Sequence, residues 1–383
     1  MPFLTKTTRK IRVFLKSIGP GLVTGSSDDD PSGIATYSQA GAQFGLRTLW
    51  TALITFPLMA AVQEMCARIG LVTSQGLTHT LKKHYPKWIL WMMISFSFPA
   101  IIFNIGADIA GMGAAAHLLF PAISAAWLSI VFTALILVTV ILFPYQRVAA
   151  ILKWLCLSLL VYLIVPLFTK VDWSAVLHAT LIPYITWDSE YLMGLVAILG
   201  TTISPYLFFW QATMEAEDLK QRGGKIIVDK RVIRKMREDV DTGMLFSNVV
   251  MFFIILTCGS VLFPHGVRSI SLSYMLAESF DWQEGLDKPF FQARPFYGVI
   301  VISLLMGLAL NFTGINPVKG LIYSAILYGM TAPVLIAVIL HIGNNRSVMG
   351  GDVNGKWSNI LGGLTLVLML IAALGLLYFL ISS

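Results

Sequence analysis

Asp28-Asp29-Asp30-Pro31-Ser32-Gly33 interrupts the first apolar segment of the chain, setting three consecutive carboxylates and two helix breakers where an uncharged run would be expected. An ionisable side chain at bilayer depth costs about 2.5 to 3.5 kcal/mol on insertion scales, so it is rare unless it faces a pathway or a bound ion. A cation is therefore the first candidate occupant. The surroundings make the bilayer the relevant solvent: 56% of the 383 residues are hydrophobic and only 12% are charged. Such a composition describes a polytopic, all-α membrane protein.

Working outward, apolar stretches of about 20 residues predict spans at 18–41 (interrupted), 49–71, 88–119, 122–143, 149–168, 191–213, 243–263, 297–315, 320–342 and 358–381. Spanning strands are not expected, because an isolated strand cannot satisfy its backbone in lipid and no alternating ten-residue pattern occurs. The arm before the first span carries Lys6, Arg9, Lys10, Arg12 and Lys16 without an acid, and no small-residue cleavage site follows it. It reads as a cytoplasmic arm rather than a removable signal peptide.

Basic residues cluster in alternate connections: Lys82, Lys83 and Lys87, then Arg147 and Lys153, then the 214–242 segment from Lys220 to Arg237. The intervening connections hold only Arg47 and Lys170, so the positive-inside rule puts the N-terminus in the cytoplasm. The net charge of +7 is thereby accounted for without a nucleic-acid partner. Cys66, Cys156 and Cys258 stand singly, which gives neither a disulfide framework nor a zinc site. Between 264 and 296 no stretch is long enough to cross, although the later basic residues call for one more crossing; Ile270 to Phe280 amounts to half a span.

A second break, Gly200-Thr201-Thr202-Ile203-Ser204-Pro205, divides the 191–213 span and opens the second half of the chain as the first break opens the first half. Two Gly/Pro-broken spans in corresponding positions point to an inverted-repeat secondary transporter with its site between the unwound stretches. Asp30 is the leading ligand candidate, since a carboxylate beside an unwound backbone can hold a cation together with carbonyls the helix no longer uses. The bland alternative is an N-cap followed by Pro at the first helical position. Asp28 and Asp29 cannot both point where Asp30 points, because successive residues turn by about 100°; one is read as lining a vestibule that attracts cations, the alternative being a solvated rim.

Ser204 and the carbonyls around Thr201 offer oxygen alone, and Gly33 offers no side chain, which widens the space for a partly hydrated hard ion. Ser204 alternatively satisfies backbone freed at the Pro kink. Asn104 and Asp108 share a helix face and either line the route or pair with another helix; Glu64 with Arg68 reads as a structural ion pair. Asn311 and Asn316, flanking Gly314 and Pro317, read as cap or turn residues. The histidines are scattered, so a buried imidazole relay has little support.

Gly19-Pro20-Gly21 leading to Asp30-Pro31-Ser32-Gly33, together with Gly200 to Tyr206, resembles the Nramp family of divalent-metal transporters, and within it the bacterial Nramp-related magnesium transporters. The likeness extends over nearly the whole chain, including Ala107-Asp108 and the segment from Gln63-Glu64 to Arg68-Ile69-Gly70. It implies a LeuT-like bundle of five plus five helices and one extra: an arm at 1–17, a first repeat at 18–168, an extracytoplasmic connection at 169–190, a second repeat at 191–342 and a further helix at 358–381. The family's eighth span is then absent or shortened at 264–296, with Tyr274 to Glu278 reading as its tail.

The resemblance also implies metal ligands. Asp30 matches the aspartate of the family motif Asp-Pro-Gly-Asn, and Gly33 stands where the asparagine ligates. In Ala-x-x-Met-Pro-His, Thr201 takes the position whose carbonyl faces the ion, Ser204 replaces the Met and Tyr206 the His; Gly111 replaces a glutamate one turn beyond Asp108. Losing the soft Met shifts the expected substrate toward magnesium with manganese tolerated, losing the His weakens the case for proton coupling, and losing the Glu leaves the relay incomplete. No cofactor, nucleic acid or obligatory protein partner is implied; the partners are a divalent ion and the bilayer of a bacterial inner membrane. The alternatives are a proton-coupled manganese/iron symporter and a transport-dead metal-binding or sensing homologue. A metalloenzyme would need a His-Glu-x-x-His or similar constellation, which does not occur.

Overall fold

The computed structural model describes residues 20–142, 159, 161–221, 228–266, 294–310, 312 and 316–382. The expectations for the arm, Arg147, Lys153, Cys156, Arg222, Lys225, Asn311, Gly314 and the absent eighth crossing lie outside these residues. Each predicted span nevertheless has a helix within its described part. In chain order they are α1 (Pro20–Ser27), α2 (Pro31–Phe44), α3 (Trp50–Thr73), α4 (Leu77–His84), α5 (Lys87–Leu119), α6 (Ala125–Leu142), α7 (Val161–Phe168) and α8 (Trp173–Leu181). Then follow α9 (Ser189–Thr202), α10 (Pro205–Gln221), α11 (Lys230–Val261), α12 (Arg294–Leu310), α13 (Pro317–Asn344), α14 (Arg346–Met349) and α15 (Lys356–Ser382). Among the described residues no strand occurs.

Both breaks follow from local chemistry. Asp30 has extended backbone (φ −71°, ψ 173°) and its Oδ1 accepts the Gly33 N–H at 2.7 Å, while Pro31 supplies a first helical residue with no amide to satisfy. At the second break Ile203 leaves helical geometry after its N–H has reached the Leu199 carbonyl at 2.9 Å, and Pro205 starts α10. Ser204, which precedes the proline, is sterically turned away from the helical region.

These half-helices pack against the two long helices α11 and α13: α1 and α2 lie on α11, α9 lies on α13, and α2 also touches α9 and α13. Close approach is enforced by glycine. A Cβ at Gly25 would sit 2.1 Å from the Gly243 carbonyl oxygen, and one at Gly200 would sit 2.0 Å from that of Ala325. One apolar core joins α3, α10, α13 and α15 through residues such as Met65, Phe208 and Leu335, and a second surrounds Tyr37, Ile198 and Ile254. Leu135 and Val138 on α6, and Leu364 and Ile371 on α15, stand outward, as lipid-facing residues do.

The 214–242 segment, expected as a connection, is largely helical. Lys220 extends α10, while Lys230, Arg231, Arg234, Lys235 and Arg237 occupy the first turns of α11 beyond its apolar part. Hydropathy locates where a helix meets lipid, not where it ends.

Candidate metal pathway between the two breaks

Asp30 is buried at the junction of the two breaks, with 6% of its surface exposed. While Oδ1 caps α2, Oδ2 accepts the Tyr206 hydroxyl at 3.2 Å and the Asn104 amide nitrogen at 3.3 Å. Tyr206 also reaches the Ser27 carbonyl at 3.1 Å, so one phenol on α10 bridges the last residue of α1 and the first cap of α2. Asn104 donates to Asp108 Oδ2 at 2.8 Å and accepts the Ser324 hydroxyl from α13 at 2.8 Å. Of the two alternatives for the pair on α5, the tie to another helix is seen at Asn104, which also reaches Asp30 at the break, and Asp108 is joined to it.

Across the gap the Ser32 and Thr201 hydroxyls lie 3.3 Å apart, and Tyr37 meets the Thr202 hydroxyl at 3.0 Å. Gly33 lies at this junction. A Cβ there would come within 3.2 Å of the Asp28 carbonyl oxygen and 3.4 Å of Thr201 Oγ1, so the space holds backbone and hydroxyl oxygen instead of a side chain. Ser204 is also at the break, but its hydroxyl donates to the Thr201 carbonyl and lies 3.4 Å from that of Gly200. It takes up backbone freed at the kink, as its alternative reading held. A carbonyl oxygen has two lone pairs, so the Thr201 oxygen keeps one for another partner.

The reading of Asp28 and Asp29 as a solvated rim is corrected: they are 0% and 2% exposed. Ser247 of α11 lies 2.7 Å from Asp28 Oδ2 and 3.5 Å from Asp29 Oδ1. Helix packing over the break closes them from water. Ser247 and Ser324 escaped sequence reasoning, because a serine more than two hundred residues from its carboxylate or amide partner carries no local signal. Glu64 and Arg68 do pair, and the same carboxylate also reaches Arg237 Nη2 at 3.2 Å and the Ser358 hydroxyl at 2.9 Å. Asn316 caps α13 as expected, accepting the Val318 N–H at 3.0 Å.

Among the described residues no group of three or more His, Cys, Asp and Glu side chains could hold a metal ion. The oxygen cluster has one carboxylate at its centre, with an amide, a phenol, hydroxyls and carbonyls around it. Such a set suits a hard cation that keeps part of its water.

The family model described as "Natural resistance-associated macrophage protein-like", Nramp, matches residues 21–275 and 267–379. A "Divalent metal cation transporter MntH" of Chromohalobacter salexigens is 25% identical over 95% of this chain and 91% of its own length. The solved Eremococcus coleocola manganese transporter superposes with a TM-score of 0.67 at 16% identity, covering 94% of this chain and 85% of that one. Mhp1, a nucleobase-cation-symport-1 family transporter, superposes at 0.51 with 10% identity over 94% and 91%. The fold is thus that of Nramp transporters and, more distantly, of the wider LeuT-like class.

Proposed function

The chain belongs to the Nramp family, and from that premise we propose that it carries divalent metal cations, magnesium first and manganese second, across a bacterial inner membrane by alternating access. The observation that carries the reading is the buried Asp30 carboxylate between two helix breaks, held by the Gly33 N–H, the Tyr206 hydroxyl and the Asn104 amide, with neither thioether nor imidazole among these partners. Asp30, the Thr201 carbonyl and the space left by Gly33 hold the ion, and Ser204 positions the Thr201 carbonyl. Tyr206, Asn104 and Asp108 line the route. Asp28 and Asp29 add negative potential from behind the break. The repeats run 18–168 and 191–342, joined at 169–190 and followed by the helix at 358–381, with the N-terminus in the cytoplasm.

Hard oxygen ligands without thioether or imidazole favour magnesium over softer transition metals. No histidine touches the cluster, so the proton has no evident carrier, and the membrane potential supplies the drive instead. For a doubly charged ion it amounts to about 4.6 kcal/mol per 100 mV, enough for roughly a thousandfold accumulation. Flux of magnesium and manganese into proteoliposomes, with internal pH recorded, tests this reading. Metal uptake without acidification is expected. Acidification in step with uptake would replace it with proton symport, and binding without flux would replace it with a sensing role.

A further inference from the structure

A cavity lies away from the two breaks, at the membrane end where α2 stops and α9 begins. Its volume is about 540 Å³, and it is walled by the Gly45–Thr48 turn, the 170–184 connection and the 259–264 end of α11. Arg47, Lys170 and His178 line it, and Asp172 is the one carboxylate among the lining residues. That carboxylate is committed to capping α8: Oδ1 accepts the Ser174 hydroxyl at 2.7 Å and the Ser174 and Ala175 amides at 2.9 and 3.2 Å. Arg47 stacks on the Tyr184 ring at 4.8 Å. Among the described residues neither Arg47 nor Lys170 enters an ion pair. Two permanent cations thus face a pocket that holds a single carboxylate, itself turned to the start of α8, so the lining keeps a positive excess.

The walls explain which anion fits. On α8, Ala175, His178 and Ala179 follow at helical spacing along the cavity side, and Ile182, just past the helix end, continues the wall. Trp173, Leu177 and Leu181 form an adjoining stripe, all more than half exposed. Phe168 and Trp187, at either end of the same connection, are 85% and 82% exposed. Exposed indoles and aliphatic side chains beside cations, at the end of a membrane helix, are the composition of an interfacial segment lying at headgroup depth. A free anion would need the cations but not the apolar stripe.

We propose that this cavity binds the phosphodiester headgroup of an anionic phospholipid, with Arg47 and Lys170 on the phosphate and the acyl chains along Trp173, Leu177 and Leu181. Arginine supplies a planar fork for phosphate oxygens and lysine a mobile point charge. The bound lipid fastens the α7–α9 connection against the end of α11.

Native mass spectrometry of the delipidated full chain, given phosphatidylglycerol, phosphatidylcholine or inorganic phosphate, tests the proposal. Retained phosphatidylglycerol should exceed phosphatidylcholine at least about fivefold. The excess should vanish in Arg47→Gln/Lys170→Gln and return in Arg47→Lys/Lys170→Arg, while the amount of both lipids retained should fall in Trp173→Ser/Leu177→Ser, each variant keeping the parent melting temperature in detergent. Equal retention of both lipids, an unchanged excess in Arg47→Gln/Lys170→Gln, or displacement of phosphatidylglycerol by equimolar inorganic phosphate would overturn it. If Arg47→Gln/Lys170→Gln melts early, the single variants Arg47→Gln and Lys170→Gln replace it: a reduced excess in either folded chain supports the proposal, and a full excess in both overturns it.

Discussion

A single aspartate does two jobs through its two oxygens, one capping a half-helix and the other facing a phenol and an amide. Removing the phenol's hydroxyl separates those jobs. Tyr206→Phe leaves the cap intact and deletes the bridge to Asp30 and Ser27; the half-saturating magnesium concentration is expected to rise about fivefold to tenfold, the equivalent of ~1 to 1.4 kcal/mol of lost hydrogen bonding. Isotope uptake across a concentration series measures it. Gly33→Asn would bring a side-chain carbonyl into the space beside Thr201, at the cost of a few tenths of an ångström of displacement. Uptake competition should then shift toward manganese by about tenfold, because a narrower, drier site favours the ion that sheds water more readily. At the other membrane end, the hydroxyl of Ser174 and two backbone amides hold the Asp172 carboxyl below the usual carboxylate range. A depressed folded pKa stabilises α8 at neutral pH, and that contribution fades as pH falls through the folded value. Amide exchange in 173–181 should accelerate only in acid, and Asp172→Asn should flatten that dependence.

The helices themselves were legible from composition, because a membrane span must satisfy its backbone internally and therefore declares itself as an apolar run. The breaks declared themselves too: Pro31 and Pro205 are local signals with a local mechanism. What the chain hid was how helices meet. Gly200 read as part of a break and Gly25 drew no reading, whereas they are the points at which α9 meets α13 and α1 meets α11 almost backbone to backbone. Gly200→Ala is expected to destabilise by about 1 to 3 kcal/mol through overpacking, while Gly363→Ala, whose added carbon meets nothing within 4 Å, should raise or leave unchanged the melting temperature. The Glu64–Arg68 pair was visible as an i, i+4 spacing, but Arg237 and Ser358, which draw α11 and α15 onto the same carboxylate, were not. With Arg68 only 7% exposed and Arg237 at 46%, Glu64→Gln strands the first charge more than the second. A loss of about 3 to 5 kcal/mol is expected for the uncompensated buried guanidinium, read as an early melting transition in detergent.

Seen whole, the molecule wraps two long helices around two broken ones and leaves the rest of its apolar surface to lipid. Fold and family could be reached from the chain because the breaks repeat in each half. The burial of Asp28 and Asp29 could not, since it depends on α11 folding back over the first break from more than two hundred residues away. The central claim is that one carboxylate at the junction of the breaks holds the travelling ion. Asp30→Asn tests it most directly, because asparagine is an equally good N-cap: its one oxygen keeps the Gly33 N–H, and its NH2 in place of Oδ2 can donate to the Tyr206 oxygen, whose own proton goes to the Ser27 carbonyl, while the charge is lost. Magnesium flux into potential-clamped proteoliposomes should fall to the protein-free background for a variant that melts with the parent chain. Parent-level flux from that variant would contradict the account.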